Sequence, residues 1–130
     1  AGRPISQGLK TDIDACVANA RDVLQAGIMR LIVVHFPSGS VAIAPGTPPL
    51  ITPSVHIPQD AVAGSNGAGD AFACGVLYGL HQSWALDATL QLAHASAAAS
   101  LRSIGTTDGI EDWRECLSIA GHYGLRALPA

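Results

Sequence analysis

Lysine is nearly missing from this sequence: Lys10 is the only one among 130 residues, and lysine and arginine together number seven. Against ten acidic residues this leaves a formal net charge of −3. No basic surface exists to neutralise nucleic-acid phosphates or to dock on acidic lipid, so neither a nucleic-acid nor a membrane partner is expected. Any phosphate this chain binds must be held by main-chain N–H groups. Charged residues make up only 13% against 48% apolar, which argues against disorder and for a substantial core. So little charge also points to a surface partly covered by something else, such as another part of a longer chain. The length suits one domain or a piece of a larger one.

Cysteine is scarce as well. Cys16, Cys74 and Cys116 are odd in number, far apart and without Cys-x-x-Cys spacing, so neither a zinc site nor a disulfide framework is indicated. They are expected to be buried, reduced thiols in a cytoplasmic protein. No basic region followed by an apolar core opens the sequence, so no secretory signal is expected. It begins Ala1-Gly2-Arg3-Pro4 without an initiator Met, as a fragment would. Long hydrophobic runs are also missing: Leu92 to Leu101, the longest weakly polar stretch, contains His94 and is too short to span a bilayer.

What is present reads as α/β. Thr11 and Asp14 have the spacing of a capping box, Ile13, Val17, Ala20 and Leu24 recur at helical spacing, and Gly27 suits a left-handed stop. Leu31-Ile32-Val33-Val34 is a β-branched run of the kind found in strands buried on both faces of a parallel sheet. Pro37-Ser38-Gly39 is a turn, and Val41-Ala42-Ile43 reads as a hairpin partner. Pro45 to Pro53 reads as a loop, and Val55-His56-Ile57 as another short strand. The run Asp70 to Leu80 is apolar on every side, which predicts a central helix, and Gly75 and Gly79 on one face would let a neighbouring backbone come close. A helix from Leu86 to Arg102 follows, ended by Gly105, and Asp108 is placed to cap a last helix from Glu111 to Ile119.

The stretch Gly64-Ser65-Asn66-Gly67-Ala68-Gly69-Asp70 carries the chemistry. Small residues allow a tight turn with several N–H groups facing one concavity. The following helix adds its unpaired first-turn N–H groups and the positive end of its dipole. This is an anion site that needs no lysine. Asp70 at its mouth cannot bind phosphate, because like charges repel, but it can take a proton from a hydroxyl attacking a phosphoryl group held by the amides. The plainer alternative is an ordinary loop with Asp70 near a helix start. A Gly-Lys-Ser/Thr phosphate loop is excluded, and Gly-x-Gly-x-x-Gly does not occur.

Gly67-Ala68-Gly69-Asp70-Ala71-Phe72, with Gly79-Leu80 in the following helix, resembles the second signature of the ribokinase/PfkB family, Asp-Thr-x-Gly-Ala-Gly-Asp-x-Phe. Ala26 to Val34, Leu86 to Ala98 and Ser103-Ile104-Gly105 are similar to the segments around that signature, in order and spacing. The resemblance implies the C-terminal, nucleotide-binding part of a ribokinase-like three-layer α/β/α fold over residues 1–130, the N-terminal half and lid lying outside. It implies an ATP-dependent sugar or nucleoside kinase using Mg2+, a homodimer as the full-length protein. The chain alone would be a poor catalyst.

Residue by residue, Asp70 would be the general base that also meets the substrate hydroxyl, and the amides of Gly67, Ala68 and Gly69 the anion hole. His35, Ser38, Gly39 and His94 would lie along the nucleotide. Gly64, Asn66, Ser100, Ser103 and Gly105 match positions around a monovalent-cation site, filled by K+ in several members. Two departures bear on this. Gly64 stands where the family has Asp, which removes a carboxylate expected to brace the loop and help hold K+, and Pro37 replaces a usual Gly. A non-catalytic nucleotide-binding module is therefore the main alternative. A serine esterase is a remote one, with Ser65 as nucleophile and Asp87 or Asp108 then His122 behind it; it needs a strand running straight into Ser65. The five histidines show no two-His metal spacing on one helix, and Trp84 and Trp113 read as packing residues.

Overall fold

In the computed structural model residues 2–8, 10–105 and 108–129 are described. They form two compact units, Ala1–Thr52 with Ala127–Ala130, and Pro53–Arg126.

In the first unit a short antiparallel ribbon, β1 (Ser6–Gln7) with β2 (Lys10–Thr11), leads into helix α1 (Ile13–Ala26). The cap is Asp12, whose carboxylate accepts the N–H of Ala15 at 3.0 Å. The Thr11–Asp14 box does not form because Thr11 is spent in β2, where it is buried. Gly27 ends the helix at φ −133°, extended and not left-handed. Cys16 and Ala20 on the inner face of α1 pack with Phe36, Val41 and Ile43 of β3 (Ile32–Phe36) and β4 (Gly39–Ile43). The two strands form the expected hairpin, antiparallel from Ile32 opposite Ile43 to Phe36 opposite Gly39.

Two expectations fail here. β3 is half-buried and lies at the edge of a three-stranded sheet ordered β3-β4-β5, so within this chain it is not an interior parallel strand. β5 (Leu50–Pro53) occupies the end of the segment read as loop. Its proline is tolerated because β5 is also an edge strand, where a missing N–H breaks no ladder.

The second unit begins with a backbone bridge from Val55 to Leu125, all that forms of the strand expected at Val55–Ile57, and a 3-10 turn at Gln59–Ala61. Three helices follow: α2 (Ala68–His81), α3 (Leu86–Leu101) and α4 (Trp113–Tyr123). α2 and α3 pack closely, Gly75 against the Ala93 backbone and Gly79 against the Thr89 side chain. A Cβ at Gly75 would lie 2.6 Å from Ala93 Cα, and one at Gly79 would lie 2.6 Å from Thr89 Cγ2, so the two glycines permit the close approach expected of them. The connection closes through Trp84 N–H donating to Gly79 O at 2.9 Å.

The core joins Val55, Ile57, Leu92, Ala95, Ala98, Ala99, Cys116 and Ile119. α3 ends at Leu101, before Gly105. α4 starts later than Glu111 and is capped by Asp112, not Asp108: one Asp112 oxygen accepts the N–H groups of Arg114 (2.7 Å) and Glu115 (3.2 Å). An aromatic cluster links α2, the turn before α3 and α4. Tyr78 meets Trp84 at 5.7 Å between ring centroids, Trp84 meets Trp113 at 5.0 Å, and the Arg114 guanidinium sits 4.2 Å over the Trp113 ring.

α2 is not central in this chain. Only Ala71, Phe72, Gly75 and Gly79 are buried, and Cys74, expected to be a core thiol, is exposed, unlike Cys16 and Cys116. Its apolar outer side is open because no described element packs on it. Among the described residues no helix is long and apolar enough to cross a membrane.

Candidate active site

The glycine-rich stretch forms an open loop running into α2. The N–H groups of Ala63 and Gly64 both donate to Leu101 O, at 2.8 and 3.3 Å, using a carbonyl that the end of α3 leaves without a helical partner. Gly64 lies against the chain at 103–104: a Cβ there would stand 3.3 Å from Ser103 O and 3.5 Å from Ile104 Cα. Gly67 then takes φ +83°, a left-handed conformation open to glycine at little cost, and so turns the chain into the helix.

No side chain caps α2. Its first helical bond is Ala71 N–H to Gly67 O at 2.8 Å, so the N–H groups of Ala68, Gly69 and Asp70 precede any intrahelical partner and leave the helix end directed outward. Their partial charges and the aligned peptide dipoles make this end positive. Asp70 is the acidic residue of the first turn, and Ser65, Asn66, Gly69 and Asp70 are all exposed. The loop and its carboxylate therefore stand in solvent, not sealed in the core. Chemically this is a set of donors for an anion with a proton acceptor within one helical turn.

Beside it, in the same unit, lie the residues expected around a monovalent cation. Ser100 Oγ is buried without a hydrogen-bond partner, and Ser103 Oγ accepts the N–H of Gly105 at 3.2 Å. Ser103 O faces Gly64, while Asn66 is exposed. Sequence reasoning overlooked Asp108 here. A Cβ at Gly105 would lie 2.7 Å from its carboxyl carbon, so a carboxylate adjoins this loop although Gly64 supplies none. The signal was present, an acidic residue three positions after a loop glycine, but it was read as a helix cap. Among the described residues no group of three or more His, Cys, Asp or Glu could hold a metal ion.

His94 is buried midway along α3, its ring edge-on to Phe72. His35, Ser38 and Gly39 belong to the first unit: His35 is exposed on β3 opposite Ser40, Ser38 is half-buried in the hairpin turn, and Gly39 is buried where a Cβ would lie 2.5 Å from Thr52 O. Ser65 is exposed and is preceded by the 3-10 turn, not by a strand.

Solved structures share this fold. Phosphofructokinase-2 from Escherichia coli in complex with potassium superposes with a TM-score of 0.69 at 18% identity, covering 93% of this chain and 36% of its own. Ribokinase from Arabidopsis thaliana complexed with ribose and ATP gives a TM-score of 0.69 at 21% identity, covering 79% and 32%. The nucleoside kinase from Burkholderia thailandensis in complex with inosine gives 0.63 at 20%, covering 76% and 33%. The architecture is thus a ribokinase-like α/β fold, present in part, and the chain spans about a third of the length of these structures.

A profile of the pfkB family carbohydrate kinases matches residues 2–113, nearly the whole chain, and the chain belongs to that family. No curated protein sequence matches it.

Proposed function

We propose that this chain is the nucleotide-side part of an ATP-dependent kinase that moves the γ-phosphoryl group of ATP to a hydroxyl of a sugar or nucleoside. One observation carries the reading: the uncapped, solvent-facing start of α2 sets unpaired amides and the Asp70 carboxylate within one turn of each other. The N–H groups of Gly67, Ala68 and Gly69 hold the phosphoryl oxygens as negative charge gathers there. Asp70 orients the acceptor hydroxyl and takes its proton while the alcohol oxygen bonds to phosphorus and the bridging oxygen leaves with ADP. Little covalent help is needed in such a loose transition state, so positioning and donor placement supply most of the rate.

In this reading His35, Ser38, Gly39 and His94 are carried over to the nucleotide side from the sequence resemblance alone. Mg2+, which the family resemblance implies, would arrive on the nucleotide phosphates and neutralise part of their charge. A monovalent cation fits the chain itself. The unpartnered Ser100 Oγ and the Ser103 carbonyl beside Gly64 offer neutral oxygens of the kind that replace the hydration shell of K+, with Asn66, Gly105 and the Asp108 carboxylate in the same loops. A cytoplasmic setting, where ATP is at hand, goes with this reading.

In the intact protein Asp70→Asn should lower kcat by about 10²- to 10⁴-fold and leave ATP affinity unchanged, read by coupled assay and calorimetry. Turnover that survives the change removes Asp70 as the base. Gly64, which lacks the family carboxylate, favours a second reading, a non-catalytic nucleotide-binding module. Wild-type protein that binds ATP yet phosphorylates no sugar or nucleoside would establish it.

A further inference from the structure

The chain has two asparagines, Asn19 and Asn66, and their settings are opposite. Asn19 lies inside α1 with its side chain tied twice to the backbone of Arg3: Oδ1 accepts the N–H at 3.2 Å and Nδ2 donates to the carbonyl at 2.8 Å. Ala20 follows it. Asn66 is exposed in the loop before α2, and Gly67 follows it. Among the described residues no hydrogen bond holds the Asn66 side-chain amide or the Gly67 N–H. Gly67 has no Cβ to obstruct an approach to its nitrogen, and at φ +83° it stands outside the helix. Asparagine is a thermolabile residue, and an exposed Asn-Gly pair is where its amide is attacked most readily.

We propose that Asn66 is a site of spontaneous deamidation, which ages the anion-binding loop while it stands empty and which bound nucleotide delays. Gly67 N gives up its proton and attacks Asn66 Cγ. A C–N bond forms, and Nδ2 leaves with that proton as ammonia, closing a five-membered imide. Water opens the imide at one of its two carbonyls and leaves aspartate or isoaspartate at position 66. The balance is one amide and one water to one carboxylate and one ammonium, so no further reactant is needed. The start of α2 favours the step, because its positive end steadies the anionic nitrogen and the oxyanion that precede the imide.

The product spoils that same end. A carboxylate now stands beside the N–H groups that hold phosphoryl oxygens, and the isoaspartyl form adds one carbon to the main chain just ahead of Gly67. A phosphate seated on the Gly67 N–H acts in reverse, since it keeps the attacking nitrogen protonated and engaged. The chemical step rests on the loop alone, and only its coupling to nucleotide rests on the kinase reading. Asp108-Gly109 can close the same ring, but Gly109 is packed where a Cβ would lie 2.8 Å from Ala99 O. Its peptide is read separately.

The intact protein is held at mildly alkaline pH beside a urea-unfolded sample, and both are mapped by digestion and mass spectrometry. Position 66 should gain the mass of an amide turned to acid at a rate within tenfold of the unfolded chain, while folded Asn19 lags by more than that. Isoaspartyl methyltransferase should methylate the same peptide. Calorimetry on aged protein should find ATP affinity lowered at least tenfold, and saturating MgATP should slow conversion at least fivefold. Asn66→Ser should keep whatever ATP affinity it starts with over the same period. Gly67→Ala, whose methyl hinders the attack, should convert at least tenfold more slowly. Folded protein that preserves Asn66 more than tenfold longer than the unfolded chain overturns the proposal. So does aged protein that binds ATP as tightly as fresh, or conversion at one rate with and without MgATP. Fresh protein that binds no ATP overturns the kinase reading instead, and the mapping alone then decides for or against Asn66.

Discussion

Phe72 and His94 meet edge to face, with ring centroids 4.9 Å apart and planes at 65°, and so tie the middle of α3 to the residue two positions beyond Asp70. His94 therefore has a packing role whatever it does for the nucleotide. His94→Ala should cost about 1–3 kcal/mol of stability, the range for a lost buried contact with its ring pair. It should also weaken nucleotide affinity by about 1 kcal/mol, the worth of one hydrogen bond. His94→Phe keeps a ring of similar size, so it should recover the stability but not the affinity. Urea denaturation and calorimetry on the two variants separate the roles.

Gly75→Ala tests the contact between α2 and α3. The added methyl would press on the Ala93 backbone, at 2.6 Å from its Cα and 2.9 Å from its N, and a backbone cannot swing aside as a side chain can. The helices must part, at a cost of about 1–3 kcal/mol. A lowered urea midpoint with an unchanged slope is the expected result. In the intact protein kcat should fall with it, because Asp70 moves with α2.

Gly67→Ala acts on the loop itself. At φ +83° a side chain is strained by about 1–2 kcal/mol, and the chain relieves this by rotating the amides at the start of α2. Since an error of about 1 Å in a reacting group can cost 10²-fold in rate, kcat in the intact protein should drop by about that factor, well beyond what the stability loss explains. Steady-state kinetics far below the melting temperature would show it.

The two buried thiols predict how stability depends on alkaline pH. Burial raises the pKa of Cys16 and Cys116 above the ordinary 9.0, helped at Cys16 by the Asp12 carboxylate. Below that value both folded and unfolded chains keep their thiols, and stability is unaffected. As pH climbs past it the unfolded chain ionises first, so stability falls until the folded thiols ionise too. Urea midpoints from about pH 8 to about pH 11 should decline less steeply in Cys16→Ala and in Cys116→Ala than in the parent chain.

The helices and the hairpin were legible because their signals are local: period and β-branched runs. The loop was legible too, since glycines before an acidic helix start have few other uses. The caps were misplaced because Thr11, Asp12 and Asp14, and likewise Asp108 and Asp112, are all residues that start helices, and only the path of the chain decides among them. β5 was lost because Pro48, Pro49 and Pro53 hide a strand whose edge position makes proline harmless. The surroundings of α2 misled for a different reason. Its sequence is apolar on every side, and nothing within a helix records that only Ala71, Phe72, Gly75 and Gly79 will be buried.

Both tryptophans of the chain, Trp84 and Trp113, lie in the aromatic cluster of the second unit. Intrinsic fluorescence excited at the indole band is therefore silent about the β3–β4 hairpin and its helix α1. A melt followed by emission and one followed, in a chain with Cys74 and Cys116 replaced by alanine, by the release of the Cys16 thiol to a chromogenic reagent observe different halves of the molecule. Coincident curves would mean that the halves unfold as one cooperative body, and separated curves would give each its own melting temperature.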